Sequence, residues 1–237
     1  MPFASSPRSA IICIHGAGGG GWEWTVWQRV FAAYGWSVFA PDLRPAAGGV
    51  AATGVEHYAA QVHAWCHGAS GRPIVIGASL GGLLALLVAP EVNPAALVLI
   101  NPLPPAGIEP RPAGSDWPDV VPWGRDATLA GTRRTLPDAD DATCLFAFRR
   151  WRDESGAVLR AASAGISAAS PRCPTLVLGS ERDDDVPVAA SHALAAACGA
   201  EFRFLRGASH VGPLLGRGAA ALAEDVQRWC LAAASAA

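Results

Sequence analysis

The sequence predicts an α/β domain: a mostly parallel sheet of about six strands flanked by helices, with a helical insertion after the fourth strand. Three observations lead there. Short β-branched runs alternate with helical patterns, as βαβ units require. The body is apolar, with 51% hydrophobic and only 16% charged residues. One long interval, residues 102–172, breaks the alternation.

Strands are expected at Ala10–Ile14, Ser37–Pro41, Pro73–Gly77, Ala96–Asn101, Thr175–Gly179 and Glu201–Leu205. Helices are expected at Trp24–Tyr34, Val55–His67, Leu80–Ala89, Val188–Cys198 and Arg217–Ala233, the last two favoured by their alanine content. The interval opens with crowded Pro and Gly, then reads as helical over Asp140–Ala164, with Asp140 or Asp141 as N-cap. The chain thus divides into a core, 1–101 with 173–237, and a helical lid, 102–172. The alanine-rich tail reads as a frayed helix end.

Composition excludes several chemistries. Lysine is absent, which removes Schiff-base and lysine-nucleophile mechanisms. A net charge of -2 gives no reason to expect a nucleic-acid partner. The six cysteines show neither C-x-x-C nor zinc spacing and read as small core residues. Met1–Arg8 lacks a signal-peptide layout, and no apolar run reaches the roughly 20 residues that span a bilayer. A cytoplasmic protein without membrane attachment is expected.

Gly77-Ala78-Ser79-Leu80-Gly81 places G-x-S-x-G between an apolar strand and an apolar helix. A nucleophile on so sharp a turn needs neighbours without bulk two positions before and after, which Gly77 and Gly81 supply. Ser79 is the candidate nucleophile. After the first strand runs His15-Gly16-Ala17-Gly18-Gly19-Gly20-Gly21-Trp22. Its backbone suits an oxyanion hole, with Ala17 and Leu80 N–H as the donor pair. A phosphate-cradling loop is the competing reading, but only Asp42 stands near the place of the acidic residue that motif needs. His15 is expected to be buried and to brace the loop.

Downstream of Ser79 lie only His192, inside an expected helix, and His210, in a loop after the last strand. His210 is the candidate base. The acid comes from Glu181-Arg182-Asp183-Asp184-Asp185. Asp183 is favoured by its distance from Pro187, Asp184 is the main rival, and most of this run is expected to be solvated. Asp42 is expected to be structural.

Together these motifs resemble the α/β-hydrolase superfamily over nearly the whole chain. The resemblance implies the α/β-hydrolase fold and a Ser–Asp–His order, matched here by Ser79, Asp183 and His210. The first loop, from His15-Gly16-Ala17 through Trp22-Glu23-Trp24, is most similar to the plant methylesterase and hydroxynitrile lyase branch. The lyases there carry Thr where Gly16 stands and use a lysine, so an esterase is favoured. Few residues precede the first strand, hence about six strands instead of eight.

The insertion carries Trp117, Trp123, Phe146, Phe148 and Trp151, apolar walls suited to an acyl or aromatic group. Arg133, Arg134, Arg149, Arg150 and Arg152 offer a carboxylate or phosphate clamp, though most are expected to solvate a helix face. His57, His63 and His67 share one helix but face away from its apolar stripe, so no metal site is expected. The expected activity is hydrolysis of a small or medium carboxylic ester, without metal or cofactor. The alternatives are a thioesterase or lactonase, a lyase or C–C hydrolase, and a non-catalytic ligand receptor.

Overall fold

The computed structural model describes residues 9–112 and 116–236. The expectations placed on Met1–Arg8 and on Ala237 lie outside the described residues. The chain runs β1 (Ile11–Ile14), α1 (Thr25–Ala33), β2 (Val38–Phe39), α2 (Val55–His67), β3 (Ile74–Ala78), α3 (Leu80–Val92) and β4 (Ala96–Ile100). Then come β5 (Val120–Val121), α4 (Leu129–Thr135), α5 (Asp141–Phe148), β6 (Glu154–Ser155) and α6 (Gly156–Ala164). It closes with β7 (Thr175–Arg182), α7 (Val188–Cys198), β8 (Glu201–Ser209), α8 (Gly212–Leu215) and α9 (Ala219–Ala236).

Six strands form a parallel sheet in the order β2-β1-β3-β4-β7-β8. β1, β3 and β4 are buried throughout, because helices cover both faces. On one face Trp24, Trp27 and Phe31 pack with Val226 and Cys230 of α9. On the other, Tyr58 and Val62 of α2 meet Leu80 and Leu84 of α3, with Leu194 of α7 in the same cluster. All six cysteines are free, and Cys13, Cys66, Cys144 and Cys230 are buried.

The segment between β4 and β7 differs from the single helix expected over Asp140–Ala164. Asp140 caps α5, accepting from Thr143 N–H at 2.7 Å, but the helix stops at Phe148. Glu154 and Ser155 then pair antiparallel with Val121 and Val120, and the Ser155 side chain caps α6. The break has a tertiary cause. Arg152 and Glu154 bond to the loop after β1, and those bonds displace the local helical ladder. α4, capped by Thr128, was not expected from the sequence. Both β7 and β8 also outrun their apolar cores, the ladder continuing through a bulge to Arg182 and Ser209. No helix among the described residues is long and apolar enough to cross a membrane.

Candidate active site

Ser79 sits on the turn between β3 and α3 with φ 52° and ψ −119°, a conformation L-residues rarely adopt. Hydrogen bonds hold it there. Its N–H donates to Ile100 O at 2.9 Å, and its carbonyl accepts from Gly82 and Leu103 N–H at 3.0 and 3.1 Å. The flanking glycines are sterically required. A Cβ on Gly77 would run into the Gly81 carbonyl, and one on Gly81 into the Ile14 and His15 carbonyls. A Cβ on Gly16 would lie 3.1 Å from Ser79 Cβ, so the loop after β1 abuts the serine.

Leu80 opens α3, and an opening amide has no partner within its own helix. Ala17, Ser79 and His210 line one cavity of about 880 Å3. His210 follows β8 and places Nδ1 2.7 Å from Asp183 Oδ2, with the Asp183 side chain only 1% exposed. Asp183 Oδ1 accepts from Asp185 and Val186 N–H at 2.9 and 2.7 Å. Asp184 and Asp185 line the cavity instead. Burial alone would lower the pKa of His210. The hydrogen bond and charge of Asp183, with the charge of Asp185, outweigh that and raise it. Asp183, Asp185 and His210 approach closely enough to consider as cation ligands, but both Asp183 oxygens are already engaged.

His15 is buried. Its Nδ1 lies 2.8 Å from Gly16 O, and its Nε2 accepts from Leu43 N–H at 2.9 Å. Burial and the nearby Arg152 push its pKa down to about 4, so it braces the loop as a neutral ring. Asp42 Oδ1 accepts from Gly21 N–H at 2.8 Å. His63 and His67 approach each other at 3.1 Å on the outer face of α2, and His192 packs on Phe202.

Several site residues were not singled out by the sequence, and Arg152 was expected only as a candidate carboxylate or phosphate clamp. Asn101, left-handed at φ 45°, donates to the His210 carbonyl at 2.7 Å and to Ser180 Oγ at 2.9 Å. Asp138 receives Ser209 N–H at 2.9 Å and Ser209 Oγ–H at 2.7 Å, bracing the His210 loop. Arg152 donates from its backbone to Gly18 O at 2.8 Å and from Nε to Gly19 O at 2.6 Å. Glu154 accepts from Gly18 N–H and from the Tyr58 hydroxyl. Glu23 is buried in the cavity wall, and burial pushes its carboxyl up to about 8.

Among the aromatic residues of the insertion, Trp117, Trp123 and Trp151 line the cavity. Trp151 and Phe146 also pack edge-on against Trp22. Arg134 lines the cavity, whereas Arg133 pairs with Asp141 and Arg150 lies over Phe146.

The parallel sheet and the strand–Ser79–helix turn define a hydrolase-class α/β protein. The chain belongs to the Alpha/beta hydrolase family, whose model matches residues 11–225. Similar solved structures include a methylesterase, MES16, from Arabidopsis, at 14% identity and TM-score 0.73, covering 94% of this chain and 100% of that one. A monoacylglycerol lipase from Paleococcus ferrophilus shares 16% identity at TM-score 0.71, with 98% and 97% covered. A pyrethroid hydrolase from Sphingobium faniae shares 22% at TM-score 0.67, with 96% and 99% covered. At such identities the likeness is one of fold. No curated protein matches the sequence.

Proposed function

We propose that the protein is a serine hydrolase that cleaves a small or medium carboxylic ester through an acyl-enzyme. The supporting observation is the 2.7 Å contact between His210 Nδ1 and Asp183 Oδ2, with His210 and Ser79 on one cavity wall. Asp183 keeps the proton on Nδ1, leaving Nε2 free to accept one. His210 then takes the Ser79 hydroxyl proton as Oγ attacks the ester carbonyl. Ala17 and Leu80 N–H hold the oxyanion, and the proton passes to the leaving alcohol. Water, activated by the same imidazole, releases the acid. Residues 102–172 act as the lid, with tryptophans facing the ester's apolar part.

The test combines covalent labelling with a substrate panel. A fluorophosphonate should modify Ser79 in the folded protein and abolish activity, and Ser79→Ala should take no label. Labelling elsewhere while Ser79 stays free would overturn the mechanism. Esters should be turned over faster than matched thioesters and lactones; the reverse order would reassign the substrate class with the same residues.

A further inference from the structure

Two carboxyl groups are buried beside the loop after β1, and they differ in one respect. Glu154 is fully engaged: Oε2 accepts from Gly18 N–H, and Oε1 accepts from the Tyr58 hydroxyl and Ser155 N–H. Glu23, 4% exposed, has an Oε2 with no hydrogen-bond partner. A buried polar atom left unpaired is costly, and in a folded protein it calls for an explanation. Glu154 explains itself as a brace. Glu23 does not.

The position of Glu23 supplies the explanation. It forms part of the wall shared by Ser79 and His210, and Leu103, Val121 and Leu159 line the same cavity. Its carboxyl lies on the bare Cα of Gly19, where a Cβ would stand 2.5 Å from both oxygens. The Gly16 and Gly20 amides face the same carboxyl, and Gly16 packs against Ser79. Gly16 thus touches both Glu23 and Ser79, so a polar group close to the carbonyl carbon of an ester seated on Ser79 is the one placed to meet this carboxyl.

We propose that Glu23 reads a hydroxyl on the carbon next to the scissile carbonyl, so that the substrates are esters of 2-hydroxy carboxylic acids. This rests on the ester-hydrolase reading above and names its acyl group. The charged groups facing Glu23 are the Arg152 guanidinium and, when protonated, the His210 imidazole. Burial nonetheless keeps the carboxyl protonated at neutral pH. A neutral acid both donates and accepts, which matches a hydroxyl and keeps negative charge away from the forming oxyanion.

The experiment compares kcat/KM for phenyl 2-hydroxybutyrate and phenyl butyrate in the wild type, Glu23→Gln and Glu23→Leu. Dividing the ester ratio of one protein by that of another cancels the intrinsic reactivity of the hydroxy ester. The wild-type ratio should exceed that of Glu23→Leu roughly 10–100-fold, with Glu23→Gln between them. A ratio unchanged by Glu23→Leu overturns the proposal. So does an equal loss on both esters, which would place Glu23 behind the loop or the attacking water. Should Glu23→Leu not fold, inhibition of the wild type decides: 2-hydroxybutanamide should bind at least tenfold tighter than butanamide. Equal inhibition rejects the idea. A wild type that hydrolyses phenyl butyrate through Ser79 yet shows no hydroxyl effect loses this inference alone. A wild type that hydrolyses neither ester loses the underlying reading.

Discussion

Glu154 accepts a hydrogen bond from the Gly18 amide at 3.0 Å, across 136 positions of sequence. The same carboxyl takes the Tyr58 hydroxyl at 2.9 Å and so ties the insertion, the loop after β1 and α2 together. The loop that carries Ala17 is held from outside. Its four consecutive glycines could not fix a geometry by themselves.

Glu154→Leu should therefore reduce kcat more than KM, because it loosens the loop of the proposed oxyanion donor, Ala17, and takes the acceptor from the Gly18 amide, the Tyr58 hydroxyl and the Ser155 amide. Urea unfolding should show a loss of about 3 kcal/mol or more. Glu154→Gln should recover part of both. A variant that loses stability while keeping kcat would show that the brace serves only the fold.

Asn101 joins the ends of β4 and β7 to the His210 backbone. Asn101→Ala should lower kcat by roughly tenfold and cost about 2 kcal/mol, since Ser180 and the His210 carbonyl lose their partner. A crystal structure of the variant with His210 unmoved, together with unchanged kinetics, would refute the positioning role.

The pH profile follows from the raised pKa of His210. As the proposed base, His210 must be neutral to accept a proton, so kcat/KM should fall as pH drops through a value above the ordinary histidine pKa of about 6.5. Asp183→Asn should move that limb downward, because it removes the carboxylate that raises His210. It should also cost on the order of 1000-fold or more in kcat, as the tautomer is lost. An acid limb that stays in place in Asp183→Asn would move the acid to another carboxylate.

Glu23 makes an opposite, measurable demand on stability. Folded, it keeps its proton up to about pH 8, whereas the unfolded chain releases it near the ordinary 4.5. Its contribution is therefore full below 4.5 and is lost as pH rises towards 8. His15, lowered to about 4 from 6.5, works the other way, losing stability as pH falls through that window. Comparing the wild type with Glu23→Gln cancels the histidine. The stability gap in favour of the variant should widen by roughly 1.4 kcal/mol per pH unit between 5 and 8. Parallel stability curves would contradict this.

Local requirements were readable in the sequence, and distant ones were not. Gly77 and Gly81 announced the turn because their need is steric and lies within five residues of Ser79. His210 stood out by its loop after a strand, and Asp183 by its spacing to Pro187. Asn101, Asp138, Arg152 and Glu154 act on partners 71 to 137 positions away, and no local pattern encodes such pairs. The same long-range bonds broke the helix expected over Asp140–Ala164, where propensity spoke only for the local chain. Glu23 did carry a signal: a lone acid between two tryptophans, just after a glycine run.

The double grip of Arg152 and Glu154 limits how this chain can change. An insertion attached only at its two ends could be exchanged for another, altering what is bound while the reacting groups stayed intact. Here residues 102–172 also supply struts for the loop beside Ser79, and Asp138 for the loop of His210. The segment is not a detachable cassette. A graft from a relative would have to bring its own counterparts of those three side chains, so recognition and reactivity are bound to vary together.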